Sequence, residues 1–219
     1  MSAEPAHSIR RNSLVLGAFC LGVALLLALV NLSTRERIAE QQLQAQRRAL
    51  AQVFPAQYHD NDLLASAFTL DASVDGFAAW NLIDVLQITE VFQGYIATRD
   101  GRFTGAILPV QSHTGYSGTI TLLVGIMDDG TITGVRVLEH RETPGLGDKI
   151  DIEVSDWILA FNGQSLGNPP QSRWQVVKDG GDFDGLVGAT ITPRAVVDAV
   201  KRALDFFELN KTLLANRAN

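Results

Sequence analysis

The 219-residue chain has one cysteine, Cys20, and four histidines, His7, His59, His113 and His140. One cysteine permits no disulfide within the chain and no cysteine-ligated zinc or iron–sulfur centre held by this chain alone. The histidines lack metal spacing such as His-Glu-x-x-His, so each is expected to be a surface or hydrogen-bonded residue. The phosphate-cradling pattern Gly-x-x-x-x-Gly-Lys-[Ser/Thr] is missing, as are internal repeats and low-complexity tracts. Basic residues are outnumbered, with 18 Lys and Arg against 24 Asp and Glu and a formal net charge of −6. Such a chain has little with which to track a phosphate backbone, which argues against nucleic acid as a partner. Composition also rules out a collagen, a disordered chain and a disulfide scaffold. Any redox work would fall to an organic cofactor.

Charge is missing altogether from Leu14 to Leu32, a run of 19 residues in which Asn31 is nearly the only polar side chain. At about 1.5 Å per residue such a helix is about 29 Å long, close to a bilayer's hydrocarbon thickness. A cleavable signal peptide is the rival reading, but its apolar region should be shorter and end in a small-x-small site. Here the run ends in Val30-Asn31-Leu32-Ser33, and Phe19 before Cys20 is a poor lipoprotein site, so a retained transmembrane helix over 14–34 is expected. Arg10 and Arg11 flank one end and Arg35, Arg37, Arg47 and Arg48 follow the other, so charge leaves the orientation open. Beyond residue 34 the chain carries 16 basic and 23 acidic residues, a net −7. A greasy segment is therefore attached to an acidic, soluble domain.

The organisation expected is a short tail (1–13), the membrane helix (14–34), a helical stalk (35–57) and a domain over 58–219 with its core at about 88–210. Residues 35–54 read as a helix ending before Pro55, either a stalk or a membrane-surface helix. Residues 58–86 lack a clean period and are given short elements only. Ile88–Thr98 and Arg102–Val110 read as strands around Arg99-Asp100-Gly101; Gly118–Met127 and Ile132–Leu138 read as a hairpin around Asp128-Asp129-Gly130. A short helix is expected at 151–161, a further strand at Trp174–Val177, and a final helix from Pro193 to about Ala215, capped by Thr192 with Pro193 in its first position. The fold class is thus α+β: an antiparallel meander with flanking helices behind one transmembrane helix.

Chemistry concentrates in Asp184-Gly185-Leu186-Val187-Gly188-Ala189-Thr190-Ile191-Thr192-Pro193. Gly188 lets a bulky group approach the backbone. The helix start behind it offers unpaired N–H groups and a positive dipole end, a setting for phosphate at or beside Thr190. On spacing alone, a threonine that merely caps a helix after a turn explains the same residues.

The segment resembles the covalent flavinylation motif, roughly Asp-x-x-[Ser/Thr/Ala]-Gly-Ala-Thr, of FMN-binding domains in the Rnf/Rsx electron-transport complex and the sodium-pumping quinone reductase. The resemblance implies that a flavin transferase moves FMN from FAD onto Thr190 as a phosphoester, with Asp184, Gly188 and Ala189 as motif positions. Val187 departs from the frequent Ser or Thr, and Thr192 is the fallback acceptor. Gly115-Tyr116-Ser117-Gly118 and Glu142-Thr143-Pro144-Gly145-Leu146-Gly147 are similar to the same domain, which implies that Thr143, Leu146 and Gly147 lie near the flavin. Chain length and the Thr-Pro pair are closest to the G-type member of the Rnf/Rsx complex; the C-type member of the quinone reductase is the related alternative.

The family implies an electron carrier without catalytic side chains or a metal, in a bacterial inner membrane, with the flavin domain on the periplasmic side. Its partners would be the other membrane subunits, the flavin transferase and the membrane. The complex would couple electron flow to ion movement or keep a redox-sensing regulator reduced. Asp184 is assigned to the attachment step; Arg136 and Arg141 are assigned to exposed salt bridges over contacts with reduced flavin or phosphate, and Trp157 to the core over a place beside the ring. Rival readings are a tethered binding or assembly module without a flavin, and a periplasmic enzyme with a noncovalent ligand.

Overall fold

The computed structural model describes residues 4–71 and 82–218. Two compact units are present, Met1–Gln46 and Arg47–Asn219. The first helix, α1, spans Glu4–Val53. Within it, Arg11–Arg35 is long and apolar enough to cross a membrane, by length and composition. Its large apolar side chains between Leu14 and Leu32 are exposed, so this stretch is no core helix of the domain. The helix ends at Val53, ahead of Pro55, and a short 3-10 turn follows at Ala56–Tyr58.

The second unit is built on a five-stranded antiparallel meander in the order β1-β2-β3-β4-β5. The strands are β1 (Ala67–Leu70), β2 (Phe92–Arg99), β3 (Arg102–Gly115), β4 (Gly118–Met127) and β5 (Ile132–Glu139). The period of two sorts their side chains onto two faces. Ala106, Leu108, Val110, Ile120, Leu122 and Val124 bury against the last helix, α2 (Ile191–Asn216), through its Val196, Val200, Ala203 and Phe207. On the other face Tyr95, Ala97, Ile107 and Leu123 pack with Leu50, Val53 and Phe54 at the end of α1. Gly125 and Gly134 make room there: a Cβ on either would stand 2.6–2.8 Å from a backbone oxygen of Val53 or Gln52. Thr133 donates its hydroxyl to the Val53 carbonyl at 2.6 Å.

Several expectations change. β2 begins at Phe92, because Gln87 takes a left-handed backbone (φ 55°) and Leu82–Leu86 forms a single π turn. β3 runs to Gly115, past Pro109. Pairing with β2 ends at Ile107, so the N–H that Pro109 lacks meets no ladder on that side. Trp174–Val177 is not a strand. It makes one isolated bridge, Val176 to Phe183, between 3-10 turns at Gln171–Arg173 and Val177–Asp179. Its alternating apolar residues are buried by aromatic packing instead: Phe183 lies 4.8 Å from Phe161 and 4.8 Å from Trp174. The helix expected at 151–161 is a 3-10 helix, Asp156–Phe161, whose Trp157 N–H donates to Ser155 Oγ at 3.3 Å. Of the short elements expected over 58–86, those at 72–81 fall outside the described residues.

Candidate functional site

Three loops separated widely in sequence converge at the start of α2. The first is the tip of the β3–β4 hairpin, where Gly115 pairs with Gly118 across Tyr116 and Ser117. Tyr116 projects outward, 68% exposed. The second follows β5. The Thr143 carbonyl accepts N–H groups of Leu146 (3.1 Å) and Gly147 (3.0 Å), closing a turn over Pro144 and Gly145, and Gly145 supplies the positive φ (78°). The third runs from Asp184 to Thr190. Its Ala189 N–H donates to the Leu186 carbonyl at 3.1 Å, and Gly188 holds φ 84° in the third position of that turn.

The second and third loops meet at one contact. A Cβ on Gly188 would lie 2.7 Å from Cδ2 of Leu146, so the glycine fits the leucine as well as the turn. The third loop is fixed from behind by Phe183, buried in the aromatic cluster, and by Trp157, whose Nε1 donates to the Asp184 carbonyl at 2.8 Å.

Around this contact lies a cavity of about 400 Å³ lined by Glu142, Thr143, Leu146, Gly147, Gly188 and Thr190, together with Tyr116, Ala189, Ile191 and Thr192. That volume is within the roughly 300–1,000 Å³ of small-molecule sites. Of the residues singled out from sequence, Thr190, Gly188, Ala189, Thr143, Leu146 and Gly147 all line it. Asp184 does not; it is exposed, with its backbone held by Trp157.

The helix start differs from the expectation. Thr190, not Thr192, holds the cap position, and its side chain makes no capping hydrogen bond. Pro193 is therefore third in the helix rather than first, and its absent N–H is still one of the unpartnered first-turn groups. Thr192 is 0% exposed, and its hydroxyl donates to Glu142 Oε2. Glu142 is itself buried, and its Oε1 accepts the Ser117 N–H at 2.9 Å. From sequence, Glu142 stands out only as the first residue of its loop. The available signal was a carboxylate beside two small, turn-forming stretches.

Trp157 packs edge-on against Phe161, ring centroids 5.6 Å apart. Arg136 donates to Gln52 Oε1 (3.0 Å) and the Val135 carbonyl (2.6 Å), and burial, partly offset by the Asp151 carboxylate, lowers its pKa from the usual arginine value. Arg141 lines a second cavity, about 580 Å³ and polar, with Gln111, His113, Thr121 and Glu139. Gln111 and Thr121 alternate with Val110 and Leu122, so this cavity is on the sheet face away from α2. Among the described residues no cluster of His, Cys, Asp or Glu is suited to a metal ion.

Residues 115–205 match the sequence model of the FMN-binding domain, and residues 1–53 match that of the RnfG N-terminal region. Every residue lining the 400 Å³ cavity falls in the first of these ranges. Over 212 residues the chain is 44% identical to the G subunit of the ion-translocating oxidoreductase complex of Vibrio cholerae serotype O1 (strain M66-2), covering 97% of this chain and 96% of that protein. It is 44% identical over 211 residues to the protein of that name from Shewanella loihica, covering 96% and 95%. A third relative of the same name, from Pseudomonas aeruginosa (strain UCBPP-PA14), is 44% identical over 214 residues, covering 98% and 95%.

Proposed function

The chain belongs to the RnfG family, the G subunits of ion-translocating oxidoreductase complexes, and on that footing we propose that it is a membrane-anchored electron carrier holding FMN by a phosphoester to Thr190. The observation that carries this reading is the setting of Thr190. It is exposed, its hydroxyl caps nothing, and it stands at the start of a 26-residue helix on the wall of the 400 Å³ cavity. The first N–H groups of α2 and its dipole favour a phosphate at that position. The cavity suits a flavin: Leu146, Ile191 and Tyr116 offer apolar and aromatic surface, and Gly147, Gly188 and Ala189 keep the backbone open to a flat ring. Thr192, the fallback acceptor, is buried and committed to Glu142.

In the attachment step Thr190 Oγ1 bonds to the FMN phosphorus of FAD. The bond from that phosphorus to AMP breaks, AMP leaves with the electron pair, and the hydroxyl proton passes to solvent or to a base of the flavin transferase. Asp184, at the mouth of the loop, serves that step by meeting the transferase or its metal. Gly188 and Ala189 admit the group, and Thr143, Leu146 and Gly147 bound its far side. FMN, when bound, supplies one-electron acceptance and release, and the protein sets its position and potential. A covalent bond keeps the cofactor on a domain outside the cytoplasm.

The remaining assignments follow the family. Residues 14–34 form a single-pass anchor in a bacterial inner membrane, 1–13 a cytoplasmic tail, 35–57 a stalk, and 58–219 the flavin domain on the periplasmic side, with its core at 88–210. The other membrane subunits supply and take the electrons, for ion translocation or for reduction of a redox-sensing regulator. The test is the intact mass of the full chain made with and without an active flavin transferase. The expected gain is the mass of FMN less one water, lost in Thr190→Ala. An unmodified mass with the transferase active would leave the tethered module without a flavin as the reading. A flavin that stays on Thr190→Ala and is released by denaturation would favour the noncovalent enzyme.

A further inference from the structure

Resting on the reading of Thr190 as the acceptor, we propose that Glu142 is the positioning residue of this site, holding the acceptor in reach of the transferred phosphorus. A carboxylate only 4% exposed is costly to bury and persists only where its oxygens are bonded. Glu142 bonds both. Oε1 takes the Ser117 N–H at the hairpin tip, 25 residues away, and Oε2 takes the Thr192 hydroxyl, 50 residues away. Its own N–H donates to His140 Nδ1 at 3.1 Å, which fixes the start of its loop. One side chain thus ties the hairpin tip and its own loop to the first turn of α2, directly behind the third loop.

The surroundings are shaped to it. A Cβ on Gly115 would stand 3.0 Å from Oε1, and one on Gly147 would stand 2.9 Å from Oε2. Two glycines, one backbone N–H and one hydroxyl are therefore matched to a single carboxyl group. Thr190 has no cap bond of its own, so the first turn of α2 places it, and that turn is moored through Thr192. A buried apolar residue would close the same space without setting the helix start in rotation and depth. Glutamine preserves the tie: its oxygen accepts from Ser117 and its amide donates to Thr192, whose hydroxyl turns to accept.

The experiment uses the full-length chain in detergent micelles, made without the transferase and then given FAD and purified flavin transferase. The rate of FMN attachment is read by intact mass, and Tm is recorded for each variant. Displacing a reacting atom by about 1 Å costs about 100-fold, so Glu142→Ala should lower kcat for attachment about 100-fold with KM nearly unchanged. Thr192→Val, isosteric and lacking one arm of the tie, should lose about tenfold, and Glu142→Gln should stay within about threefold of the parent. Leu70→Ala, a core truncation on the far edge strand, should lower Tm while leaving attachment at the parental rate. If Thr192→Val and Glu142→Ala attach FMN at the parental rate, the proposal is wrong; Thr192→Val decides alone if Glu142→Ala does not fold. A folded Glu142→Gln as slow as Glu142→Ala, or a Leu70→Ala equally impaired, overturns it too. Thr190→Ala separates the two layers: attachment that survives in it removes the acceptor reading and this proposal together, whereas parental rates in the Glu142 and Thr192 variants remove this proposal only.

Discussion

In the loop 184–190, Asp184, Val187 and Thr190 face outward, Val187 with 86% of its surface exposed; in the first turn of α2, directly behind, Thr192 and Pro193 are buried. Two threonines two residues apart thus occupy opposite situations. The Thr190 hydroxyl caps nothing at the helix start, while that of Thr192 is given to a buried carboxylate. On the proposed reading of Thr190 as acceptor, a reactive position is built here by division of labour: the group meant to react is left unused, and the rigidity it needs is supplied by its neighbour. The sequence reads Thr-Ile-Thr, and the single intervening residue turns one hydroxyl outward and the other into the core.

Four substitutions test that contrast, in falling order of effect. Thr190→Ala should abolish FMN attachment in the intact-mass assay while shifting stability by no more than about 0.5 kcal/mol, the usual range for an exposed site without bonds. Loss of folding in this variant would dissolve the contrast. Thr192→Val should cost about 1–3 kcal/mol, because a buried carboxylate oxygen loses its donor. At about 2–4 °C per kcal/mol for a domain of this size, a Tm drop of several degrees is expected, and an unchanged Tm would show that the bond is idle. Gly188→Ala should cost about 1–2 kcal/mol through its left-handed backbone, the terminal methyl of Leu146 being free to move aside. A denaturant melt reads that loss, and the narrowed cavity mouth should slow attachment as well.

The smallest effect concerns an exposed pair on the same turn. Arg194 bonds Asp179 through Nε and Nη2 at 2.5–2.6 Å, and that bond holds the Asp179 pKa below the ordinary carboxylate value. A carboxylate whose folded pKa is depressed contributes stability above its unfolded pKa of about 3.9 and loses it as pH falls through the folded value. Arg194→Gln should therefore melt slightly below the parent at neutral pH, and the gap should close as the pH drops below about 4. Both partners are exposed, so added salt should shrink the gap too.

Much of the meander was legible in sequence because its signals are local. Asp128-Asp129-Gly130 bounds a hairpin, and the β-branched and apolar run between that turn and Gly118 matches β4, Gly118–Met127. The two walls of the candidate cavity were legible through resemblance, at Gly188-Ala189-Thr190 and Thr143-Leu146-Gly147. What failed was whatever depends on distant partners. The expected β3 stops at Val110, yet the strand runs on to Gly115 through its pairing with β4. Trp174-Gln175-Val176 alternates like a strand but is satisfied by Phe161 and Phe183. Thr192 resembled a cap because its partner, Glu142, is 50 residues upstream. Spacing near Thr192 carries no trace of that bond.

The convergence of three loops at the start of α2 also sets an order in time. The Ser117–Glu142 and Glu142–Thr192 bonds close loops of 25 and 50 residues. Contacts of such long range form only once the chain has met their closure entropy, late in folding. A chain still emerging from synthesis presents residues 184–190 as a plain flexible strip without the opposing wall. If Thr190 is the FMN acceptor proposed above, recognition of the finished shape would act as an inspection: correctly folded molecules would receive the group, and misfolded ones would stay unlabelled and colourless.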